Sequence, residues 1–192
     1  MFDRQYWEDR YHQQKTGWDI GHANPILIDF VVSTLPKDSK ILIPGCGNAH
    51  EAIALFEIGY ANVVILDIAQ APLLNVKSKC PDFPEENMIC EDFFFHQSSY
   101  DAILEQTFFC AIDPSLRKSY VEKTHRLLKD KAILFGLLFA SAFTAEGPPF
   151  GGTIDEYQQL FKDKFEFIKL EHCNNSISPR MGNELFIEFI KK

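Results

Sequence analysis

The chain is 192 residues long and 46% hydrophobic, with 18 Phe and a formal net charge of −8. That length and apolar content suit one domain spanning 1–192 with a sizeable core. The acidic balance argues against a nucleic-acid partner, which needs a clustered Lys/Arg surface, and leaves small molecules as the expected ligands.

In chain order, Arg4–Gln14 and Pro25–Leu35 read as two helices. They form a lid segment, residues 1–36, over the edge of the sheet that follows, with Thr16-Gly17-Trp18-Asp19-Ile20-Gly21 as the loop between them. Apolar runs then place strands near 40–43, 62–66, 87–90, 100–105 and 131–139, with helices near 49–58, 70–79 and 114–128. Pro72 suits the first turn of its helix, Asp113-Pro114 reads as cap and first position of the next, and Lys129-Asp130-Lys131 as the turn into the fifth strand. A Gly/Pro-rich loop from Ser141 to Gly152 leads to a short helix at 153–161. Two last strands, near 165–173 and 185–190, are joined too closely for a crossover helix and are therefore antiparallel. Alternation of strand and helix means a parallel sheet. The expected fold is α/β, a single Rossmann-like class I methyltransferase domain. Its seven-stranded, mostly parallel sheet has the last strand antiparallel and helices on both faces.

The run Ile41-Leu42-Ile43-Pro44-Gly45-Cys46-Gly47-Asn48-Ala49-His50-Glu51, followed by Val63-Val64-Ile65-Leu66-Asp67, is the most informative part of the chain. An apolar strand breaking into Gly-x-Gly, a helix, and a second strand closed by a carboxylate is how an open α/β sheet grips an adenosine-containing cofactor. Asp67, 20 residues after Gly47, is spaced to meet ribose hydroxyls. A third glycine, which would let a pyrophosphate approach the helix, is replaced by His50. That favours a cofactor without phosphates, S-adenosylmethionine, with S-adenosylhomocysteine as product. The alternative is an ordinary strand-to-helix turn with a surface Asp. Cys46 between the glycines reads as a small buried filler.

Further candidates fall on the same carboxyl edge, where ligands of such sheets bind. Asp92 after the third strand can take an exocyclic amine while Phe93 covers a base face; alternatively Phe93-Phe94-Phe95 is core, the role expected of Phe94 and Phe95. Glu105-Gln106-Thr107-Phe108-Phe109-Cys110 occupies the position from which methyltransferases address the acceptor, and it lacks the Pro-Pro-aromatic turn of enzymes that methylate base amines. Trp7 and Trp18 can close over a sulfonium, gaining roughly 0.5–2 kcal/mol by cation–π attraction, or can simply pack the N-terminal helices. Arg180 joins the last two strands and can orient an anionic acceptor, or pair with Glu184. Glu146–Gly152 is a lid candidate carrying Phe150, which is either an acceptor wall or part of a plain surface loop.

Taken together, these segments make the chain similar to the thiopurine S-methyltransferase family, especially its branch of thiol and halide methyltransferases. The match runs nearly end to end. It rests on Trp7-Glu8 with Gly17-Trp18-Asp19-Ile20-Gly21, Pro44-Gly45-Cys46-Gly47, Leu66-Asp67-Ile68, Asp92-Phe93-Phe94, Thr107-Phe108-Phe109-Cys110-Ala111, Gly147-Pro148-Pro149-Phe150 and Pro179-Arg180-Met181-Gly182-Asn183-Glu184. The resemblance implies S-adenosylmethionine held by Trp7, Tyr11, Trp18, Gly45, Gly47, Asp67, Ile68, Asp92, Phe93 and Gln106, with methyl transfer to a thiol, thiopurine or halide lying against Trp18, Phe150 and Arg180. Tyr11 stands where the thiol and halide branch has a tryptophan, and Gln106 where it has a tyrosine. No residue is assigned as a catalytic base.

Five cysteines without a Cys-x-x-Cys, and no apolar run of the roughly 18 residues a membrane helix needs, suggest a reduced, cytoplasmic monomer without a membrane partner. Six histidines show no metal-binding spacing, so no metal is expected. Two rival readings stand beside the methyltransferase: a non-catalytic scaffold that senses S-adenosylmethionine, and an NAD-dependent oxidoreductase.

Overall fold

The computed structural model describes residues 2–141, 143 and 146–192. Ala142, Thr144 and Ala145, within the expected Ser141–Gly152 loop, lie outside the described residues. The chain divides into two compact units, Met1–His96 and Gln97–Lys192.

The first unit contains α1 (Arg4–His12), α2 (Pro25–Thr34), β1 (Ile41–Pro44), α3 (His50–Glu57), β2 (Val63–Asp67), α4 (Ala71–Lys79) and β3 (Met88–Cys90). β1 and β2 are buried along their whole length, as continuous apolar runs in a parallel sheet must be. β1 pairs parallel with β2 and β2 with β3, so Pro44, Asp67 and Cys90 finish at one carboxyl edge. α2 starts on Asn24, whose side chain accepts the Ile26 amide, and buries Leu27 and Val31, one turn apart. α4 has no cap of its own. Instead Glu8 of α1 reaches its N-terminus and accepts the amides of Gln70 at 2.5 Å and Ala71 at 3.3 Å.

The second unit contains β4 (Tyr100–Gln106), α5 (Arg117–Leu127), β5 (Leu128–Phe139), α6 (Ile154–Phe161), β6 (Phe165–His172) and β7 (Glu184–Lys191). β4 pairs parallel with β5, and β7 runs antiparallel to both β5 and β6. α6 opens with a capping box between Thr153 and Glu156. Phe161 at its end meets the rings of Phe189 at 5.2 Å and of Phe109 and Phe165 at 5.9 Å, so much of the unusual Phe content fills this one core.

The strand order is β3-β2-β1-β4-β5-β7-β6, the seven-stranded, mostly parallel sheet with an antiparallel last strand expected from the sequence. Two local expectations are corrected. Lys129-Asp130-Lys131 is not a turn before the fifth strand but an exposed bulge inside it. Leu128 already pairs with Tyr100, the register then jumps to Ile133 opposite Ala102, and Lys131 takes φ +63°. Phe95, expected in the core, is 77% exposed.

Candidate active site

In the first unit the chain leaves β1 through three left-handed residues, Gly45 (φ +57°), Gly47 (φ +53°) and Ala49 (φ +50°), before α3 begins. Gly47 is the position that demands glycine twice over. Its φ is one that side-chain-bearing residues adopt only under strain, and a Cβ there would lie 3.0 Å from the Tyr11 hydroxyl oxygen and 4.0 Å from Trp18 Nε1. The Gly47 amide points at Asp67 and donates to Oδ2 at 3.0 Å, while Ala69 N donates to Oδ1 at 2.9 Å.

Asp67 is thus pinned at the end of β2 and nearly buried, and its acidity reflects this. Burial pushes the carboxyl up to about 6, the backbone amides of Ala69 and Gly47 oppose that, and the negative Glu8 adds to it. Each carboxylate oxygen has two acceptor sites and spends one on an amide, leaving capacity for two hydroxyl donors. This donor and acceptor set suits a ribose diol.

The aromatic residues of the N-terminal segment gather over that turn. Trp7 and Tyr11 are one helical turn apart on α1, and the Trp18 ring stands 5.5 Å from Trp7 and 5.8 Å from Tyr11, edge to face in both cases. Burial and the negative Asp67 drive the Tyr11 hydroxyl well above its usual range, against the hydrogen bond it shares with Trp18. The phenol therefore stays protonated as a polar wall beside Asp67.

Next to Asp67, its carbonyl takes the Glu91 amide at 3.1 Å, which sets the start of the segment after β3. There Asp92 Oδ1 accepts the Phe94 amide at 2.8 Å, Phe93 is buried, and Phe94 meets it edge on at 5.5 Å. Ile68 is half-buried and its carbonyl faces the Cys90 thiol at 3.8 Å. The expected cofactor residues of this unit, Trp7, Tyr11, Trp18, Gly45, Gly47, Asp67, Ile68, Asp92 and Phe93, thus lie in the N-terminal aromatic segment or along one sheet edge. Cys46, between the glycines, has its thiol pushed well up by burial and by Asp67, which leaves it an inert filler.

The N-terminus of α3 answers the question of phosphates. The Asp19 carboxylate sits against it, bonded to the Asn48 amide and, at 2.8 Å, to His50 Nε2. Glu51 occupies the helix's first turn and is almost buried. The Asp19 carboxylate holds the place where a dinucleotide's pyrophosphate would need positive potential, and Glu51, which accepts the Asn24 amide at 3.0 Å, adds a second negative group to the same turn. The site fits a nucleoside without phosphates.

In the second unit Gln106 ends β4, and its side-chain oxygen is buried without a hydrogen-bond partner among the described residues. The segment behind it wraps around a group that the sequence reading passed over. Glu105 is fully buried, accepting the amides of Phe108 and Phe109 at 2.8 Å each on Oε1 and the Tyr120 hydroxyl at 2.6 Å on Oε2. Burial raises its carboxyl to about 7 against those three donors.

Phe150 is fastened to this turn, its amide donating to Cys110 O at 2.7 Å. Arg117 clamps the same loop by donating to Phe150 O at 3.3 Å and Gly151 O at 2.8 Å. Arg180 is 8% exposed, lies 5.6 Å from the Phe139 ring centroid and donates to Glu184 Oε1 at 3.3 Å, so the pairing left open by the sequence is formed. Sequence spacing carried no signal for Glu105 with Tyr120, or for Asp19 with His50, because each pair is joined across elements and not along one.

Among the described residues no group of three or more His, Cys, Asp or Glu is placed to hold a metal ion. None of the described helices is long and apolar enough to cross a membrane.

The profile of the Thiopurine S-methyltransferase (TPMT) family matches residues 2–188. Probable thiol methyltransferase 2 of Arabidopsis thaliana is 29% identical over 184 residues, covering 93% of this chain and 81% of its own length. Thiopurine S-methyltransferase of Vibrio cholerae is 24% identical over 180 residues, covering 84% of this chain and 82% of its own. Among solved structures, Burkholderia thailandensis 1,6-didemethyltoxoflavin-N1-methyltransferase, with S-adenosylhomocysteine bound, is similar at TM-score 0.78 and 16% identity, covering 98% of this chain and 87% of that one. A likeness at that identity speaks for the fold.

Proposed function

The chain belongs to the thiopurine S-methyltransferase family, and on that premise we propose that this S-adenosylmethionine-dependent methyltransferase delivers its methyl group to a thiol, a thiopurine or a halide. The observation that carries the reading is the turn itself: Asp67 locked to the Gly47 amide, with a carboxylate and not a phosphate at the neighbouring helix end. Asp67 takes the ribose hydroxyls, Gly45 and Gly47 lie against the methionine part, and Asp92, Phe93 and Ile68 line the adenine, with Gln106 also contributing.

The cofactor supplies an electrophilic methyl on a sulfonium. The chain's part is to align and to dry the site. Indole and phenol faces of Trp7, Trp18 and Tyr11 favour binding of the cation, while the water they exclude leaves a dry pocket that favours the loss of charge during transfer. S-adenosylmethionine held by these residues would offer its methyl in line to the acceptor's lone pair, with S-adenosylhomocysteine as the leaving group. An acceptor thiol of pKa about 8.5 is already a few per cent thiolate at neutral pH, and a halide has no proton to lose. The chain therefore needs no general base, and alignment supplies the rate. Trp18 and Phe150 wall the acceptor, and Arg180 orients its negative charge.

Five free cysteines support a reducing, cytoplasmic setting, in which the protein acts as a monomer on small molecules. The test is release of S-adenosylhomocysteine over a panel of aliphatic and aromatic thiols, thiopurines, iodide and thiocyanate. Turnover with at least one class is expected. Tight cofactor binding with no turnover on any would instead favour a sensing scaffold.

A further inference from the structure

His50 stands where a dinucleotide fold would carry its third glycine, and its side chain has a specific partner. The ring Nε2 donates to Asp19 Oδ1 at 2.8 Å, and both side chains are 18% exposed. Asp19 is the residue after Trp18. The same carboxylate accepts the Asn48 side-chain amide on Oδ2 and the Gly21 amide at 2.7 Å on Oδ1, while Asp19 N donates back to Thr16 O at 2.9 Å. The loop Thr16–Gly21 is therefore folded around one acid, and that acid is bolted to Asn48 and His50, on either side of Ala49 where the glycine turn enters α3. Asn48 is held in its turn by Asn75 of α4, whose amide donates to Asn48 Oδ1 at 3.0 Å. Burial pushes the Asp19 carboxyl up, but the bonds from Asn48, Gly21 and His50 outweigh it and keep the acid ionised.

We propose that Asp19, Asn48 and His50 form a latch that fixes the Trp18 loop over the glycine turn, with His50 a positioning residue that governs how long the cofactor is retained. The reasoning is geometric. Trp18 has no helix of its own to hold it; the loop leaves α1 through Gln14 at φ +55° and reaches Gly21 at φ +78°, both in the left-handed region. The indole nonetheless lies 4.0 Å from the position a Gly47 Cβ would take, among the Trp7 and Tyr11 rings. Edge-to-face ring contacts and the hydrogen bond Trp18 shares with Tyr11 hold the indole itself. The backbone beside it is tied through the Asp19 carboxylate, which takes two side-chain bonds from Asn48 and His50 and one from Gly21 within the loop. A glycine at position 50 would lose this clasp, which gives the departure from the dinucleotide pattern a physical role beyond refusing phosphate.

The inference rests on the cofactor reading above, and the test separates the two. In a Trp7→Phe background Trp18 is the one remaining indole of a chain with two tryptophans, so its acrylamide quenching reports the loop directly, in cofactor-free protein. His50→Ala and Asn48→Ala are each expected to raise quenching of Trp18. In the unmodified background they should speed S-adenosylmethionine dissociation about tenfold, the low end for losing a hydrogen bond to a charged group.

His50→Gln, whose amide nitrogen reaches the place of Nε2, should restore both readouts. A general loss of structure would not be repaired in that way. Thermal melts identify any variant that fails to fold, and Asn48→Ala then carries the test. Parent-like quenching and parent-like dissociation in the folded variants would overturn the latch. A parent protein that binds no S-adenosylmethionine would overturn the cofactor reading, while the quenching arm still decides the latch.

Discussion

Asp67 Oδ2 accepts the amide of Gly47 at 3.0 Å, so the acid that closes the second strand is fastened to the second glycine of the turn after the first. Substituting Asp67 by Ala removes the ribose acceptor and also strands the buried amides of Gly47 and Ala69. Each unmet amide costs about 1–3 kcal/mol. Calorimetry should show S-adenosylmethionine affinity falling by at least about thirtyfold, roughly 2 kcal/mol, with a lower urea midpoint in the apo protein. Equal affinity in parent and variant would remove the ribose assignment.

Two buried acids make stability depend on pH in the direction opposite to ordinary acid unfolding. Glu105 is raised from 4.5 to about 7 and Asp67 from 3.8 to about 6, both chiefly by burial. The folded chain therefore holds these protons more tightly than the unfolded one. Their contribution is fully present below the ordinary carboxylate values and is lost as pH rises through about 6 for Asp67 and about 7 for Glu105. For Glu105 it amounts to roughly 3 kcal/mol. Urea unfolding from pH 4 to 8 should show a declining contribution that Glu105→Gln abolishes at its upper end. An unchanged slope in that variant would show that the carboxyl is not the source. Cofactor affinity should move the other way, tightening as Asp67 ionises above pH about 6.

Element types and the sheet were legible because period and punctuation agree locally: continuous apolar runs at β1 and β2, Pro72 in the first turn of α4, Asp113 accepting the Ser115 amide. The errors arose where polarity has two structural meanings. Lys129-Asp130-Lys131 is as exposed in a bulge as it would be in a turn, and only the register with Tyr100 and Ala102 tells them apart. Phe94 and Phe95 read as core, yet Phe94 is half-buried and Phe95 is in water while Phe93 beside them is buried, because consecutive residues of a bend point different ways. Of the site, the glycine turn and Asp67 were readable from spacing. The clasp between Asp19 and His50, 31 residues apart, and Glu105 with Tyr120, 15 apart, depend on packing between elements, for which sequence period has no signature.

Arg180 and Glu184 form a pair that is 8% and 2% exposed, and Glu184 Oε2 has no hydrogen-bond partner among the described residues. Removing the cation alone leaves a buried carboxylate uncompensated, so Arg180→Met should cost about 3–5 kcal/mol of stability. Adding Glu184→Gln should return most of it. If Arg180 orients an anionic acceptor, the double variant will be stable but will keep a raised KM for thiolates, with cofactor affinity unaltered. Recovery of acceptor KM along with stability would assign the arginine a purely structural role.

Arg117 spreads one nitrogen over two carbonyls, Phe150 O and Gly151 O, with its guanidinium carbon 4.9 Å from the Phe109 ring centroid. This clamp holds the Pro-Pro-Phe loop against the turn that Glu105 organises, since the Phe150 amide is itself bonded to Cys110 O. Replacing Arg117 by Ala leaves both carbonyls to water and frees the loop, at a stability cost of about 1–3 kcal/mol. Limited proteolysis should then cut within 146–152 faster than in the parent, and acceptor KM should rise severalfold while the S-adenosylmethionine Kd stays put. Lys should rescue poorly, because its ammonium lacks the planar guanidinium face that lies on Phe109. If proteolysis and acceptor KM are both unchanged in Arg117→Ala, the loop is held by the Cys110 bond alone and Phe150 needs no clamp to wall the acceptor.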